Sequence, residues 1–325
     1  MVKTVFFGTP GFAVPTLARL LASPHPVVAV VTRPDRPRGR GRRVSPSPVK
    51  SLAAEHGIPV LQPERLAADA FRQQIAAFEP DVAVVAAYGR ILPDALLQTP
   101  RLGTFNVHAS LLPKYRGAAP IQRAILAGET RTGVTIIRLV REMDAGPMLA
   151  RRPLAIGPDA TSTAVEQELA ELGADLLLEA VAEIEAGTAT ETPQDHAAAT
   201  FAPRLTRDDG RIDWSRPARA LHDQVRGLHP WPHAFTYLDG ARYLILRSRI
   251  PEAGAWDGAG VVAGAADPAP GRLVEASGDR LVAAAGRGSV LAITEIQPEG
   301  RRPLPARAFL AGRRWTPGLR FDPVP

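Results

Sequence analysis

Val82-Ala83-Val84-Val85-Ala86-Ala87 (residues 82–87, VAVVAA) is a run of six apolar residues with no polar residue inside it. A strand with one wet face alternates apolar and polar positions, whereas a strand covered on both faces has no reason to. The run is too short for a buried helix, and Pro80-Asp81 before it and Gly89-Arg90 after it close it off. It reads as a central parallel strand, and such a strand needs helices on both faces of its sheet.

The flanking sequence repeats this pattern. Val2–Phe7, Val27–Val31 and the short Val60–Leu61 are apolar strands upstream. Helical patterns lie between them: one ending near Leu21, one over Val49–His56 stopped by Gly57, and one over Asp69–Phe78. Downstream come the strands Thr104–Ala109 and Val134–Val140. The long helix Thr161–Ile184 follows, with Val165, Leu169, Leu172 and Leu176 at helical spacing. Strand–helix alternation predicts an α/β doubly wound, mostly parallel sheet, with its site at the carboxyl ends of the strands. This first domain is read as residues 1–186.

Residues 187–205 lose apolar periodicity and read as a linker. After it the pattern changes to short strands. Ser215 is placed to cap a helix reaching Gly227. Ala234–Leu238 and Tyr243–Ile250 flank an Asp239-Gly240 turn, and 273–276, 281–284 and 290–296 follow as strands. Residues 206–325 therefore read as a small β-barrel domain. Residues 252–270, rich in Ala, Gly and Pro, read as a flexible loop. A chain of 325 residues fits about two domains and needs no covalent staple to fold. With no cysteine, disulfide scaffolds, thiol nucleophiles and thiolate metal sites are excluded, which fits a cytoplasmic location. No apolar run approaches the roughly 18 residues of a membrane span, and the MVKTVFFGTPGF start lacks a signal-peptide pattern.

The net charge of +6 is unevenly placed. Residues 33–50 hold seven basic residues and one acid, Asp35, while 205–325 hold 17 basic and 13 acidic. That distribution is a candidate polyanion surface, although an arginine-rich chain with three lysines also fits a solvated face. Gly8-Thr9-Pro10-Gly11 lacks the spacing of a dinucleotide loop and reads as a strand-to-helix turn.

Chemistry concentrates in Gly103–Gly117, GTFNVHASLLPKYRG. On a strand, Asn106 and His108 point to one side. An amide donor beside an imidazole suits an oxyanion and a proton, although a lone histidine is more often structural. Asp144 follows His108 by 36 residues, just past a strand. Two readings stand for it: a carboxylate that meets His108 and fixes its tautomer, or a cap of its own Asp-Ala-Gly turn.

FGTPGFAVPTL, RPDRPRGRGRRVSPSPVK, AAYGRILP, FNVHASLLPKYRGAAPIQRAI and the later RIDWS and LHPWP together resemble the folate-dependent formyltransferases. The basic SPSPVK loop and RIDW narrow the resemblance to the members that act on methionyl-tRNA. It implies a Rossmann-like first domain and an OB-like barrel that contacts tRNA. It also implies 10-formyltetrahydrofolate as formyl donor, initiator methionyl-tRNA as acceptor, no metal and no membrane partner. By the same resemblance Asn106, His108 and Asp144 carry the transfer. Ser110, Leu111, Leu112 and Pro113, with Tyr88, Gly89, Ile91 and Leu92, hold the folate. Arg36, Arg38, Arg40, Arg42 and Arg43 meet the tRNA. The family often has Gly-Leu-Asp-Thr-Gly at the aspartate, whereas this chain has Glu142-Met143-Asp144-Ala145-Gly146. The implied mechanism is attack of a neutral amine on the formyl carbon. Asn106 and His108 donate to the oxyanion, and Asp144 orients His108 and receives the proton through water. A sister enzyme formylating an amino sugar, and a non-enzymatic RNA-binding protein, are the alternatives. The first needs no arginine loop, and the second gives no reason for Asn106 and His108 on an apolar strand.

Overall fold

The structure, a computed structural model, describes residues 1–38, 43–251, 269–312, 315 and 318–322. In chain order the first strands and helices are β1 (Thr4–Gly8), α1 (Val14–Leu21), β2 (Val27–Val31), β3 (Pro37–Arg38), β4 (Arg43–Val44), α2 (Pro48–Glu55) and β5 (Val60–Leu61). Then come α3 (Asp69–Ala76), β6 (Val82–Ala86), α4 (Asp94–Leu97), β7 (Gly103–His108), β8 (Arg116–Gly117) and α5 (Pro120–Leu126). β9 (Arg131–Arg138), β10 (Met148–Ala155), α6 (Ser162–Ala186) and β11 (Phe201–Ala202) follow. The chain divides into two units. The first comprises Met1–Pro120, Arg131–Ala155 and Glu166–Pro203.

Its seven-stranded sheet runs β10-β9-β7-β6-β1-β2-β5. β5, β2, β1, β6 and β7 are parallel, and β9 and β10 add on antiparallel. Every residue of β6 is buried, as the VAVVAA run requires. Phe7, Val31 and Val85 pack with Phe71 and Ile75 of α3 on one face, while Phe6, Val30 and Val84, of opposite parity, are buried as well. From β1 the chain builds outward to β2 and β5, then returns to place β6 on the other side. This reversal opens a crevice at the carboxyl ends of the strands. β10 escapes the apolar reading because it is an edge strand whose exposed positions are Arg151, Pro153 and Ala155.

Residues 187–203 pack on this unit. Thr192 exchanges both backbone hydrogen bonds with Met148, at 2.8 Å each. β11 pairs in parallel with β8.

The second unit comprises Ile121–Thr130, Ile156–Val165 and Arg204–Pro325. It contains α7 (Ala218–Gly227), β12 (Ala234–Leu238), β13 (Ala241–Arg249), β14 (Leu273–Ser277), β15 (Arg280–Ala284), β16 (Val290–Pro298), β17 (Leu304–Pro305) and α8 (Ala306–Ala311). The antiparallel path is β12-β13-β16-β15-β14, with β17 on β16. Asp239 and Gly240 both take left-handed φ, +50° and +74°, giving the tight β12–β13 turn that the sequence predicts. The stretch 319–322 joins the two ends of the path. Leu319 O accepts from Leu273 N, Phe321 N donates to Gly271 O, and Asp322 N donates to Tyr237 O of β12. Phe321 is wholly buried and stacks on Trp214 at 5.0 Å. The sheet thus closes on itself in an OB-like manner.

Ser215 does not cap α7. Its hydroxyl donates to Asp213 Oδ1 at 2.7 Å, and the helix starts after Pro217. The two N-terminal segments are integral to this unit. Gly227 lets α7 approach Ile125, where a Cβ would come within 3.0 Å of the isoleucine. Arg226, paired with Asp223, donates to Ala160 O at 3.0 Å. Residues 252–268, most of the expected loop, lie outside the described residues. No helix among the described residues is long and apolar enough to cross a membrane.

Candidate active site

β7 places Asn106 and His108 on one side of the sheet at its carboxyl end, beside β9 (Asn106 opposite Ile137, His108 opposite Thr135). The Asn106 amide makes no hydrogen bond among the described residues, so both of its N–H groups remain available. The His108 residue is 5% exposed, and its two ring nitrogens face different partners. Nε2 lies 3.1 Å from Tyr115 O, and Nδ1 lies 3.6 Å from Asp144 Oδ2. A carbonyl oxygen only accepts, so the Tyr115 contact assigns a proton to Nε2 and leaves Nδ1 of the neutral ring as an acceptor. The 3.6 Å gap is too long for a hydrogen bond.

Asp144 sits in the β9–β10 connection with φ +52°, a left-handed conformation unusual for a residue other than glycine. Its Oδ2 accepts from Gly117 N at 2.9 Å. The carboxylate therefore bonds across to Gly117 rather than to its own turn, and the His108 tautomer is set by Tyr115 O rather than by Asp144. Gly117, at φ +123°, has no room for a side chain: a Cβ would lie 2.7 Å from Ala202 O. Gly146 is required for a different reason, because a Cβ there would fall on Arg138 O.

Behind Asp144 stands Gln194, 5% exposed. Its Nε2 donates to Asp144 O at 2.8 Å and to Gly146 O at 2.7 Å. Its Oε1 accepts from Arg116 Nε at 3.1 Å and Nη2 at 2.7 Å. The sequence reading missed Gln194. It lies in a polar stretch without periodicity, and no local signal marks it.

The structure divides the folate-assigned residues. Ser110 and Leu112 face inward. Ser110 Oγ donates to Lys114 O at 2.6 Å, Ser110 O accepts from Thr135 Oγ1 at 2.7 Å, and Leu112 packs with Ile137 and Met148. Leu111 and Pro113 are half-buried. Tyr88 is buried edge-on against Phe7 at 5.6 Å, and burial pushes its phenol up from the ordinary value. Leu92 is buried too, whereas Gly89 is exposed and Ile91 is 77% exposed. An open cleft of ≈ 530 Å³ adjoins Asp144, lined by Arg116, Val140, Glu142, Met143, His196 and Phe201 among others.

Of the arginines assigned to tRNA, Arg36 is exposed. Arg38 and Arg43 pair through their backbones across β3 and β4. Arg40 and Arg42 lie outside the described residues. The base of this segment is fixed. Lys50 Nζ bonds Asp35 and Gln62 Oε1 (2.7 Å), and Gln62 Nε2 donates to Asp35 Oδ1 and Arg33 O, both at 3.0 Å. Among the described residues no group of three or more His, Cys, Asp or Glu side chains could hold a metal ion.

The sequence model described as "Formyl transferase" matches residues 2–181, and that described as "Formyl transferase, C-terminal domain" matches 204–314. The methionyl-tRNA formyltransferase of Methylococcus capsulatus is 47% identical over 318 residues, covering 96% of this chain and 99% of that protein. That of Heliobacterium modesticaldum is 47% identical over 322 residues, covering 98% and 100%. In fold, the chain is similar to an N-formyltransferase from Helicobacter canadensis, with a TM-score of 0.65 at 17% identity over 92% of this chain and 100% of that one. With both models matched in order and near-full-length relatives at this identity, the chain belongs to the formyl transferase family, among its methionyl-tRNA formyltransferases.

Proposed function

We propose that the chain transfers the formyl group of 10-formyltetrahydrofolate to the α-amino group of initiator methionyl-tRNA, in the cytoplasm, for translation initiation. The observation that carries the chemistry is the meeting of His108 Nδ1 and Asp144 Oδ2 beside an uncommitted Asn106 amide. The acceptor assignment rests on the 47% identical relatives.

The donor supplies a formyl carbon open to attack. The exposed Ile91 and Gly89, with Leu111 and Pro113, suit its folate part: an apolar surface beside donor groups. Ser110, Leu112, Tyr88 and Leu92 support it from the core. Asn106 donates to the oxygen on which negative charge develops. His108, with its Nε2 proton held by Tyr115 O, receives the amine proton at Nδ1. The imidazolium so formed then faces Asp144, whose charge stabilises it. As the tetrahedral intermediate collapses and the bond from the formyl carbon to the folate nitrogen breaks, His108 returns the proton to that nitrogen, so tetrahydrofolate leaves and the amine keeps the formyl group. Donation by His108 to the same oxygen follows only once Nδ1 carries a proton. The amine attacks as the neutral form, and an α-amino group titrates near about pH 8, so a nearby acceptor matters. Arg36, Arg38, Arg40, Arg42 and Arg43 contact the tRNA acceptor end through phosphates.

The test is transfer of labelled formyl from 10-formyltetrahydrofolate to methionyl-tRNA, against free methionine and a nucleotide-linked amino sugar. Labelling of the tRNA alone is expected. Preferred labelling of the sugar would replace this acceptor.

A further inference from the structure

We propose that Gln194 is a positioning residue for Asp144, so that the stretch between the two family-matched regions forms part of the working site. The inference rests on the role given to Asp144 above. Residues 182–203 fall in neither matched region. Yet this stretch is pinned to the site's own elements on either side of Gln194: Thr192 to Met148, and β11 to β8.

Asp144 needs outside support. Its backbone is left-handed without being glycine, and such conformations persist only where surroundings over-determine them. Gln194 supplies that determination. An amide has two N–H groups and one oxygen with two lone pairs, and here all four are used. Both donors go to the loop, on Asp144 O and Gly146 O, and both lone pairs go to Arg116. The residue after Arg116 is Gly117, whose N–H holds the Asp144 carboxylate. One side chain therefore joins the loop that carries Asp144 to the strand that aims its carboxylate at His108. Arg116, 6% exposed, has only Gln194 and His196 as side-chain partners among the described residues, so its position depends on the same amide.

Gln194→Ala removes everything at once and leaves Arg116 buried without its acceptor, so it tests folding as much as the site. Gln194→Glu is the sharper variant. It keeps an acceptor for Arg116 and removes both donors to the loop. In the full-length chain, circular dichroism should match the parent. Turnover should fall about a hundredfold, as a small misplacement of a reacting group does, with KM for both substrates within about threefold. Hydrogen exchange at the Gly117 amide should quicken by more than about tenfold while β7 amides keep their rates. Turnover within twofold of the parent in the folded variant, or a Gly117 amide as protected as before, would overturn the proposal. A parent chain inactive toward methionyl-tRNA would defeat the functional reading, and the exchange measurement would still decide the clamp.

Discussion

The site around His108 and the basic segment 33–50 treat charge in opposite ways. At the site, the His108 and Asp144 side chains are 6% and 12% exposed, and each is fixed by a backbone group. In the basic segment Arg36 is exposed, and Asp35, Lys50 and Gln62 form a bonded base. The difference fits the two tasks proposed above. A group that moves a proton must be held to within fractions of an ångström, because geometry enters the barrier directly. A group that neutralises phosphates acts through counterion release, which depends on how many cations reach the backbone more than on where each one sits. The two regions should therefore fail differently.

The largest effect is expected at the site. His108→Ala should lower turnover by about a hundredfold or more while leaving the KM for formyl donor nearly unchanged. A variant that instead weakened tRNA binding at normal turnover would erase the contrast. Next, replacing Arg40, Arg42 and Arg43 together with alanine should flatten the plot of log tRNA affinity against log salt by about two to three units. Turnover at saturating tRNA should hold, and an unchanged slope would leave these arginines to solvent. Lys50→Met sharpens the comparison, since it frees the base of the segment without touching its tip. An ion pair of this kind is worth up to about 1 kcal/mol, so tRNA affinity should fall about fivefold or less with the salt slope kept.

The smallest effect concerns stability. Burial, reinforced by the Arg247 charge, holds His229 and His233 below the ordinary histidine value. The unfolded chain then binds more protons than the folded one at mildly acid pH. Their contribution is complete above about pH 6.5 and is lost as pH falls through the lowered folded values. Melting temperature should drop between pH 7 and 5, and less in His229→Gln. Identical slopes would remove these rings as the cause.

Periodicity carried most of the fold into the sequence. VAVVAA and Val27–Val31 announce buried strands because no polar residue interrupts them. β10 was illegible because an edge strand with Arg151, Arg152 and Pro153 offers no such run. β3 and β4 were illegible because two residues set no period. At the site, Asn106 and His108 could be read from strand parity, and Asp144 from its place after a strand. The inward turn of Ser110 and Leu112 could not, since it depends on Thr135 from a strand 23 residues beyond Leu112. Gln194 depends on chain folding back over 48 and 50 residues, to Gly146 and Asp144, which no local pattern encodes.

The segmented make-up of the second unit carries a consequence for how the chain emerges during synthesis. Ile121, Ala124 and Ile125 of α5 are buried, and Ile125 meets α7 at Gly227. That helix is translated roughly a hundred residues later, and ribosomes add about 5–20 residues per second. For something like 5–20 s the nascent chain carries Ile125 without the helix it packs on. The β9–β10 hairpin and the body of α6, made in that interval, belong to the other unit. Early chaperone contact and protease sensitivity should therefore centre on residues 121–130 and end when α7 arrives.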